Sequence, residues 1–207
     1  MTTIDALPGK TLGMLADLCH KLQHGSHTLE ELERFLKRQN PFDLKPAIRT
    51  SKPKAAVLKL VNDQVALMGS ENFDPQAYFQ TRPGLWVSEE FVSRVRSKAK
   101  PVENLGSATL KSYDLTKAAY DREIKTGLGA NHVFDQSELI ARLEQMVGKQ
   151  QGGEEGELLN NGYANLFYLA GWVVYVRWNA GRRRWNVGVW KLDDFHWHEG
   201  DRIFSRN

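Results

Sequence analysis

Residues 163–206 read YANLFYLAGWVVYVRWNAGRRRWNVGVWKLDDFHWHEGDRIFSR, and this aromatic stretch carries the strongest secondary-structure signal in the sequence. Five of the six tryptophans of the chain lie in it, at Trp172, Trp178, Trp185, Trp190 and Trp197. They alternate with β-branched residues and are separated by short clusters of turn residues. Aromatic and β-branched runs bounded by turn residues are typical of strands. The sequence therefore predicts an antiparallel β-meander over residues 163–206.

Five strands of this meander can be bounded. The predicted strands cover residues 163–169, 172–178, 185–192, 195–198 and 202–205. Ala170-Gly171 is a very short connection, and Asn179-Ala180-Gly181 has the composition of a hairpin turn. Asp193-Asp194 and Glu199-Gly200 provide the remaining turns.

The phase of the strands predicts which side chains share a face. Because successive side chains of a strand point to opposite faces, one face of the second strand carries Trp172, Val174, Val176 and Trp178. One face of the third strand carries Trp185, Val187 and Val189. The opposite faces of the two strands carry Tyr175, Arg177, Arg184, Asn186 and Trp190. Trp190 is out of phase with Trp185, so a regular strand cannot bury both. At least one tryptophan is predicted to be exposed or to lie in a groove.

The amino-terminal third has a different character. Apolar residues at helical spacing, the break at Gly25-Ser26 and the capping-box pair Thr28 and Glu31 predict a helical hairpin. Asn40-Pro41 ends the second helix, because the residue before proline disfavours the α conformation. The basic, proline-containing stretch that follows predicts an extended linker. The expected organisation is a hairpin at 1–42, a linker at 43–54 and a domain at 55–207.

The middle region, residues 55–151, predicts a mixture of helices and strands. Residues 55–68 are apolar but of ambiguous period, and residues 85–87 and 108–113 suggest short strands. Helices are predicted after the cap Ser88, over residues 116–125, and from the capping-box residue Asp135 to about Lys149, where Gly152-Gly153 ends the pattern. The predicted fold class is α+β, with an N-terminal helical hairpin, a mixed middle region and a C-terminal antiparallel meander.

Composition limits the functional classes. Hydrophobic residues make up 41% and charged residues 26% of the 207 residues, which is typical of a globular protein and argues against disorder throughout. The formal net charge of +3 permits contact with nucleic acid without requiring it. The single cysteine, Cys19, allows no intramolecular disulfide. No signal peptide or membrane-spanning run is evident, so the expected location is cytoplasmic and no membrane partner is expected.

No sequence motif indicates catalysis. The chain lacks a Gly-x-Ser-x-Gly nucleophile motif, a P-loop and a His-Glu-x-x-His metal motif. Two histidine clusters, His20/His24/His27 beside Cys19 and His196/His198, have spacings that also occur in metal sites, and Asp193, Asp194, Glu199 and Asp201 could offer oxygen ligands. Solvated histidines and turn-forming acids explain these patterns more simply. The sequence favours a non-enzymatic protein, with no catalytic residue, metal or cofactor assigned.

The aromatic C-terminal strands support two functional hypotheses. The leading one is a binding module whose tryptophan- and arginine-rich β face contacts a protein or a glycan, through Tyr175, Arg177, Arg184, Trp185, Asn186, Trp190 and His196. The alternative is nucleic-acid binding, because cations beside aromatic rings suit single strands, through Lys45, Arg49, Lys52, Lys54, Arg182, Arg183 and Arg184. Simpler readings are a tryptophan core and a solvated hairpin tip at the arginines. A metal-dependent enzyme is a second alternative.

Two resemblances concern the chain end. Trp185-Asn186-Val187, followed by a polar loop and Gly200-Asp201-Arg202-Ile203-Phe204, resembles the close of a C-type-lectin-like domain, in the branch of formylglycine-generating enzymes and of the variable proteins of diversity-generating retroelements. Asp201 stands where that branch has an aromatic residue. The resemblance implies no catalysis and a display surface of Tyr175, Arg177, Trp185, Asn186, Trp190 and His196. The whole chain also resembles uncharacterised proteins of candidate-phyla bacteria, through Asn40-Pro41-Phe42 and Phe204-Ser205-Arg206-Asn207; this resemblance implies no activity.

Overall fold

The computed structural model of the protein describes residues 56–206 together with His20, Glu30 and Glu33. The chain divides into two units, Met1–Pro53 and Lys54–Asn207, and the fold described below is that of the second. Apart from the three residues named, the predicted helical hairpin at 1–42 and the basic linker at 43–54 lie outside the described residues.

One mixed sheet of seven strands forms the centre of the second unit. In chain order these strands are β1 (Leu58–Leu67), β3 (Leu85–Val87), β5 (Ala108–Leu115), β7 (Ala164–Leu169), β8 (Trp172–Asn179), β9 (Arg184–Lys191) and β11 (Arg202–Arg206). Their order across the sheet is β1-β5-β11-β7-β8-β9-β3. Two neighbouring pairs, β11 with β7 and β3 with β9, are parallel, and the other four pairs are antiparallel.

Short elements surround this sheet. Two small antiparallel ribbons pair β2 (Ser70–Phe73) with β4 (Val102–Leu105) and β6 (Ala119–Tyr120) with β10 (His196–Trp197). Within residues 56–206 the α-helices are α1 (Pro75–Tyr78), α2 (Glu89–Arg94), α3 (Asp121–Gly127) and α4 (Gln136–Lys149), and 3-10 turns cover Arg96–Lys98 and Ala180–Arg182. No helix in this part of the chain is long and apolar enough to cross a membrane.

The predicted fold class, α+β with a mixed middle region and a C-terminal antiparallel meander, is wrong. The domain is mixed α/β, because strands of the middle region and of the C-terminal region join one sheet. Strand β11 lies between β5 and β7 and runs parallel to β7, and the predicted fourth strand of the meander leaves the sheet to pair with β6. All six residues of β7 are buried, so this strand needs neighbours on both edges and layers on both faces. Alternation within a strand cannot reveal such non-adjacent pairing.

Several local predictions are confirmed, and one is only partly right. Ser88 caps α2 by accepting from the backbone N–H of Phe91, and Asp135 caps α4 by accepting from those of Ser137 and Glu138. All of β1, Leu58–Leu67, lies within the ambiguous stretch 55–68, which is therefore mainly a strand. The helix predicted over 116–125 starts later, at Asp121, because Ala119–Tyr120 pairs with β10.

Each face of the sheet carries its own core. The first face packs apolar side chains of β7, β8 and β9 against α4; its core includes Phe167, Val174, Trp178, Trp185 and Leu143. The second face is covered by α3 and the β6/β10 ribbon; its core includes Leu166, Tyr168, Val173, Ile124 and Trp197. Alternation along the strands divides the residues between the two cores.

The cover of the second face is incomplete. Over β8 and β9 this face exposes Arg177 and Trp190 and leaves Tyr175, Arg184 and Asn186 half-buried. We call this region the open face.

A buried carboxylate fastens the cover to the sheet. Asp121, the first residue of α3, is fully buried. Its Oδ1 accepts hydrogen bonds from the hydroxyl of Tyr168 (2.9 Å) and from Nε1 of Trp197 (2.7 Å), and its Oδ2 accepts one from the backbone N–H of Asp193 (2.7 Å). One side chain therefore joins α3, β7, β10 and the turn between β9 and β10.

This network predicts a specific loss of stability in alkali. Burial, and then the charge of Asp121, raise the pKa of Tyr168 above its ordinary value. The stability that the protonated phenol contributes is complete below about pH 10 and falls as the pH rises from there towards the folded-state pKa, by up to about 1.4 kcal/mol per pH unit. We expect Tyr168→Phe to flatten this slope, measured as the urea midpoint against pH. Equal slopes in the two proteins would contradict the assignment.

Candidate functional site: an aromatic cavity on the open face

A cavity of about 620 Å³ lies on the open face of the sheet. The strand β8 and the end of β9 contribute to it, together with the turn before β7 and the segment between β9 and β11. Aromatic rings provide much of the lining: Tyr163, Tyr175, Trp190, Phe195 and Trp197. Four polar side chains complete it: Asn161, Arg177, His198 and Asp201. Apolar walls with a few polar groups are typical of ligand sites.

Tyr175 takes its place in the cavity because its neighbour on β9 has no side chain. Tyr175 is paired with Gly188 in the register of β8 and β9. A Cβ atom at position 188 would lie 2.3 Å from the hydroxyl oxygen of Tyr175. The glycine therefore lets the phenol ring lie across the β9 backbone, as expected where a strand is approached closely.

Three aromatic rings in contact with one another form one wall of the cavity. Trp190 stacks on Phe195, with ring centroids 5.5 Å apart and planes 19° from parallel. Phe195 in turn contacts Trp197 at 4.7 Å, and the indole N–H of Trp197 donates to Asp121. The outermost ring, that of Trp190, remains 44% exposed. The wall is thus anchored at its buried end and presents an indole ring to solvent.

Arg177 is held at the cavity by one hydrogen bond. Its Nε donates to the backbone carbonyl of Gly162, in the turn before β7. On the sheet it lies between Ala164 of β7 and Asn186 of β9. The terminal nitrogens of the guanidinium form no hydrogen bond or ion pair with any group in residues 56–206, and the side chain is exposed. They are free to donate to a ligand.

A tight turn provides the remaining polar groups. The carboxylate of Asp201 accepts hydrogen bonds from the backbone N–H groups of Ala164 and His198, both at 2.8 Å. The imidazole Nδ1 of His198 lies 3.9 Å from Oδ2 of Asp201, and the His198 side chain is 70% exposed. Gly200, with φ of +92°, lies under the ring of Tyr163. Asp201 therefore shapes the turn, while His198 faces solvent at the cavity.

The environment of Tyr175 keeps its phenol protonated. Burial, and then the charge of Glu90, raise the pKa of Tyr175, and Arg177 acts in the opposite direction to a smaller extent. The hydroxyl has no hydrogen-bond partner within the described part of the chain. It is therefore available as a neutral donor or acceptor beside the cation of Arg177.

The structure brings together three of the residues predicted as a binding surface, Tyr175, Arg177 and Trp190. Trp185 does not belong with them. It is fully buried on the opposite face of the sheet, where its Nε1 donates to the carbonyl of Gln150 at 2.6 Å. The alternation that turns Trp190 outward turns Trp185 inward.

The other predicted contacts lie near the cavity but do not line it. Arg184 donates from Nε to Oδ1 of Asn186 at 3.2 Å, and its guanidinium lies over the ring of Trp86, 5.6 Å from the centroid. We call Trp86, Arg184 and Asn186 the β9-edge patch. His196 lies on the β6/β10 ribbon and packs against Tyr120, with ring centroids 4.6 Å apart.

The residues of the nucleic-acid hypothesis are only partly described. Arg182 and Arg183 are exposed at the turn between β8 and β9, and Arg183 has a left-handed φ of +47°. Lys45, Arg49, Lys52 and Lys54 lie outside the described residues.

The proposed metal clusters do not assemble in the described part of the chain, where no group of three or more His, Cys, Asp and Glu side chains could hold a metal ion. His196 and His198 separate around the buried Trp197, one towards Tyr120 and the other towards Asp201. Of the first cluster only His20 is described, and Cys19, His24 and His27 lie outside.

The sequence analysis missed three of the five aromatic rings that line the cavity. Tyr163, Phe195 and Trp197 come from a turn and from a strand outside the main sheet, so no alternation rule relates them to Tyr175. The sequence did contain one indication of these residues. The turn sequences Asn161-Gly162 and Glu199-Gly200 each lie close to a large aromatic residue. Loops that hold rings at a sheet surface frequently carry binding residues.

Comparison with known proteins gives no match to this chain among protein families, curated proteins or solved structures. The resemblance of the chain end to C-type-lectin-like domains therefore stays a prediction.

Proposed function

We propose that this protein is a binding module that holds part of a glycan in the aromatic cavity of the open face. The observation that carries the proposal is the exposed ring of Trp190, stacked on Phe195 at the edge of a cavity that also contains the free donors of Arg177 and Tyr175. A sugar ring combines an apolar C–H face with a polar edge, and this combination matches an aromatic wall next to hydrogen-bond donors.

The exposed indole is large enough to contribute substantially to affinity. Trp190 is 44% exposed, which leaves roughly 100 Å² of apolar surface for a ligand to cover, and about 25 cal/mol for each Å² gives roughly 2.5 kcal/mol. The stacking on Phe195 already fixes the ring, so little side-chain entropy remains to be lost on binding.

The shape of the site favours a glycan over a flat protein surface. A stable protein interface buries about 800 Å² on each partner, whereas the free rings and donors here converge on one concavity of about 620 Å³. A protein partner would have to insert a protruding segment into the cavity. Binding of such a partner is one of the outcomes that the Trp190→Ala experiment distinguishes.

The β9-edge patch favours a second candidate function, single-stranded nucleic-acid binding. Arg184 over Trp86, with Arg182 and Arg183 exposed nearby, places cations beside an aromatic ring. Such a site should bind oligonucleotides with an affinity that falls steeply as salt is added. Absence of oligonucleotide binding at low salt would eliminate this candidate.

Trp190→Ala tests the glycan proposal. We expect the full-length protein to bind members of a glycan array, and Trp190→Ala to weaken that binding at least about tenfold in calorimetry, because the stacking surface is lost. Trp86→Ala is the matched control, since it removes a half-buried indole from the same face outside the cavity and should leave glycan affinity unchanged. Unchanged binding in Trp190→Ala, or capture of a protein partner with no glycan bound, would overturn the proposal.

A further inference from the structure

We infer that the glycan bound in the cavity is acidic, and that a carboxylate on one of its sugar units is bound by the guanidinium of Arg177; this inference rests on the proposed function. The ligand class is therefore short oligouronates, which are short chains of sugar units that each carry a carboxylate.

Arg177 is held in place by a hydrogen bond, but no carboxylate of residues 56–206 neutralises its charge. Its Nε is bound to the carbonyl of Gly162, which leaves both terminal amino groups without a partner among residues 56–206. Two other arginines of the main sheet have carboxylate partners within the domain: Nε of Arg202 lies 2.9 Å from Asp114, and Nη1 of Arg206 lies 3.1 Å from Glu138. A planar, partly fixed guanidinium with free donors is suited to a carboxylate.

No acid in the cavity can take the place of that carboxylate. Asp201 is the one acidic residue in its lining, and it is 3% exposed, with its oxygens bound to the backbone N–H groups of Ala164 and His198. Glu90 affects Tyr175 electrostatically but forms no ion pair with Arg177. Lys191 is exposed next to Trp190, and His198 is exposed at the rim. Arg177 therefore carries a positive charge that no carboxylate of residues 56–206 neutralises, and this charge suits an anionic ligand.

The separation of the two anchors indicates more than one sugar unit. Val173 of β8 is paired with Trp190, and Arg177 lies four residues further along the same strand. At about 3.3 Å per residue, the two positions are roughly 13 Å apart along the sheet, with Tyr175 between them. This distance exceeds one pyranose ring. A sugar unit stacked on Trp190 would thus be followed by a unit whose carboxylate reaches Arg177.

The charge of the ligand can be tested without changing its shape. We would titrate the full-length protein with tri- and tetrasaccharides of galacturonate and of glucuronate, with their methyl esters, and with the free monosaccharides. We expect each bound oligouronate to bind roughly ten- to hundredfold more tightly than its methyl ester, because a charge-assisted hydrogen-bond pair is lost on esterification. The monosaccharides should bind more weakly than the oligomers.

Variants assign the effect to Arg177. Arg177→Gln should abolish the difference in affinity between the acid and its ester, while Arg177→Lys should retain part of that difference, because a lysine keeps the charge without the fork. Arg182→Gln is the matched control: it removes an exposed positive charge outside the cavity and should change neither affinity. Thermal melts show whether each variant is folded.

The outcomes separate this inference from the proposed function. Binding of neutral glycans with no preference for acids over esters overturns the inference and leaves the proposed function standing. Failure to bind any glycan overturns both. An oligonucleotide that binds more tightly than every oligouronate, and loses affinity in Arg177→Gln, also overturns the inference and identifies the anion as a nucleic acid.

Discussion

Asp121→Ala is expected to lower the free energy of unfolding by about 4 kcal/mol, because two buried donors and one partly buried donor lose their acceptor at once. The hydroxyl of Tyr168, the indole N–H of Trp197 and the backbone N–H of Asp193 all donate to this one carboxylate. Each unsatisfied buried group costs about 1–3 kcal/mol, and water that enters the vacated space recovers part of that cost. The measurement is urea unfolding at neutral pH.

Asp121→Asn is the matched control for this prediction. The amide keeps one acceptor oxygen, which can serve Tyr168 and Trp197, but it turns a second donor towards the backbone N–H of Asp193. The loss should be about half that of the alanine variant. Because Trp197 supports Phe195 and Trp190, glycan affinity should fall in parallel with stability. A loss below about 1 kcal/mol in Asp121→Ala would show that the network is dispensable.

Gly153→Ala is expected to lower the free energy of unfolding by about 3 kcal/mol, through two independent costs. Gly153 has a φ of +78°, in the left-handed region that disfavours side chains. In addition, a Cβ atom there would lie 2.3 Å from Cε2 of Trp178, a 9% exposed ring that packs edge-on against Trp185. The indole cannot retreat without disturbing the first core.

Gly171→Ala separates the two costs. Gly171 has nearly the same φ, +80°, but a Cβ atom at this position would meet no atom within 4 Å. It should therefore lose only the backbone contribution of about 1–2 kcal/mol. Thermal and urea unfolding of the two variants give the packing contribution by difference. Equal losses would mean that the Trp178 ring moves freely, contrary to its buried packing.

Local structure in the C-terminal region could be predicted because strand phasing depends only on neighbouring residues. The alternation of β8 and β9 correctly put Val174, Val176 and Trp178 on one face, and it correctly put Trp190 on the face opposite to Trp185. The caps Ser88 and Asp135 marked helix starts for the same reason, since a cap binds N–H groups two or three residues away. The placement of Tyr175 and Arg177 on the same face of β8 could likewise be predicted from the sequence.

The amino-acid sequence was sufficient to predict the strands β8 and β9, the side chains that share each of their faces, and the helix starts at Ser88 and Asp135, because these properties depend on backbone periodicity and on neighbouring residues. Tertiary packing, by contrast, sets β11 between β5 and β7, places β10 outside the sheet and so brings Trp197 to Asp121. This arrangement of strands depends on burying both faces of β7 at once, and the residues that cover those faces are distant in the chain. The aromatic cavity belongs to this second group, since its two sides meet only when the sheet is complete.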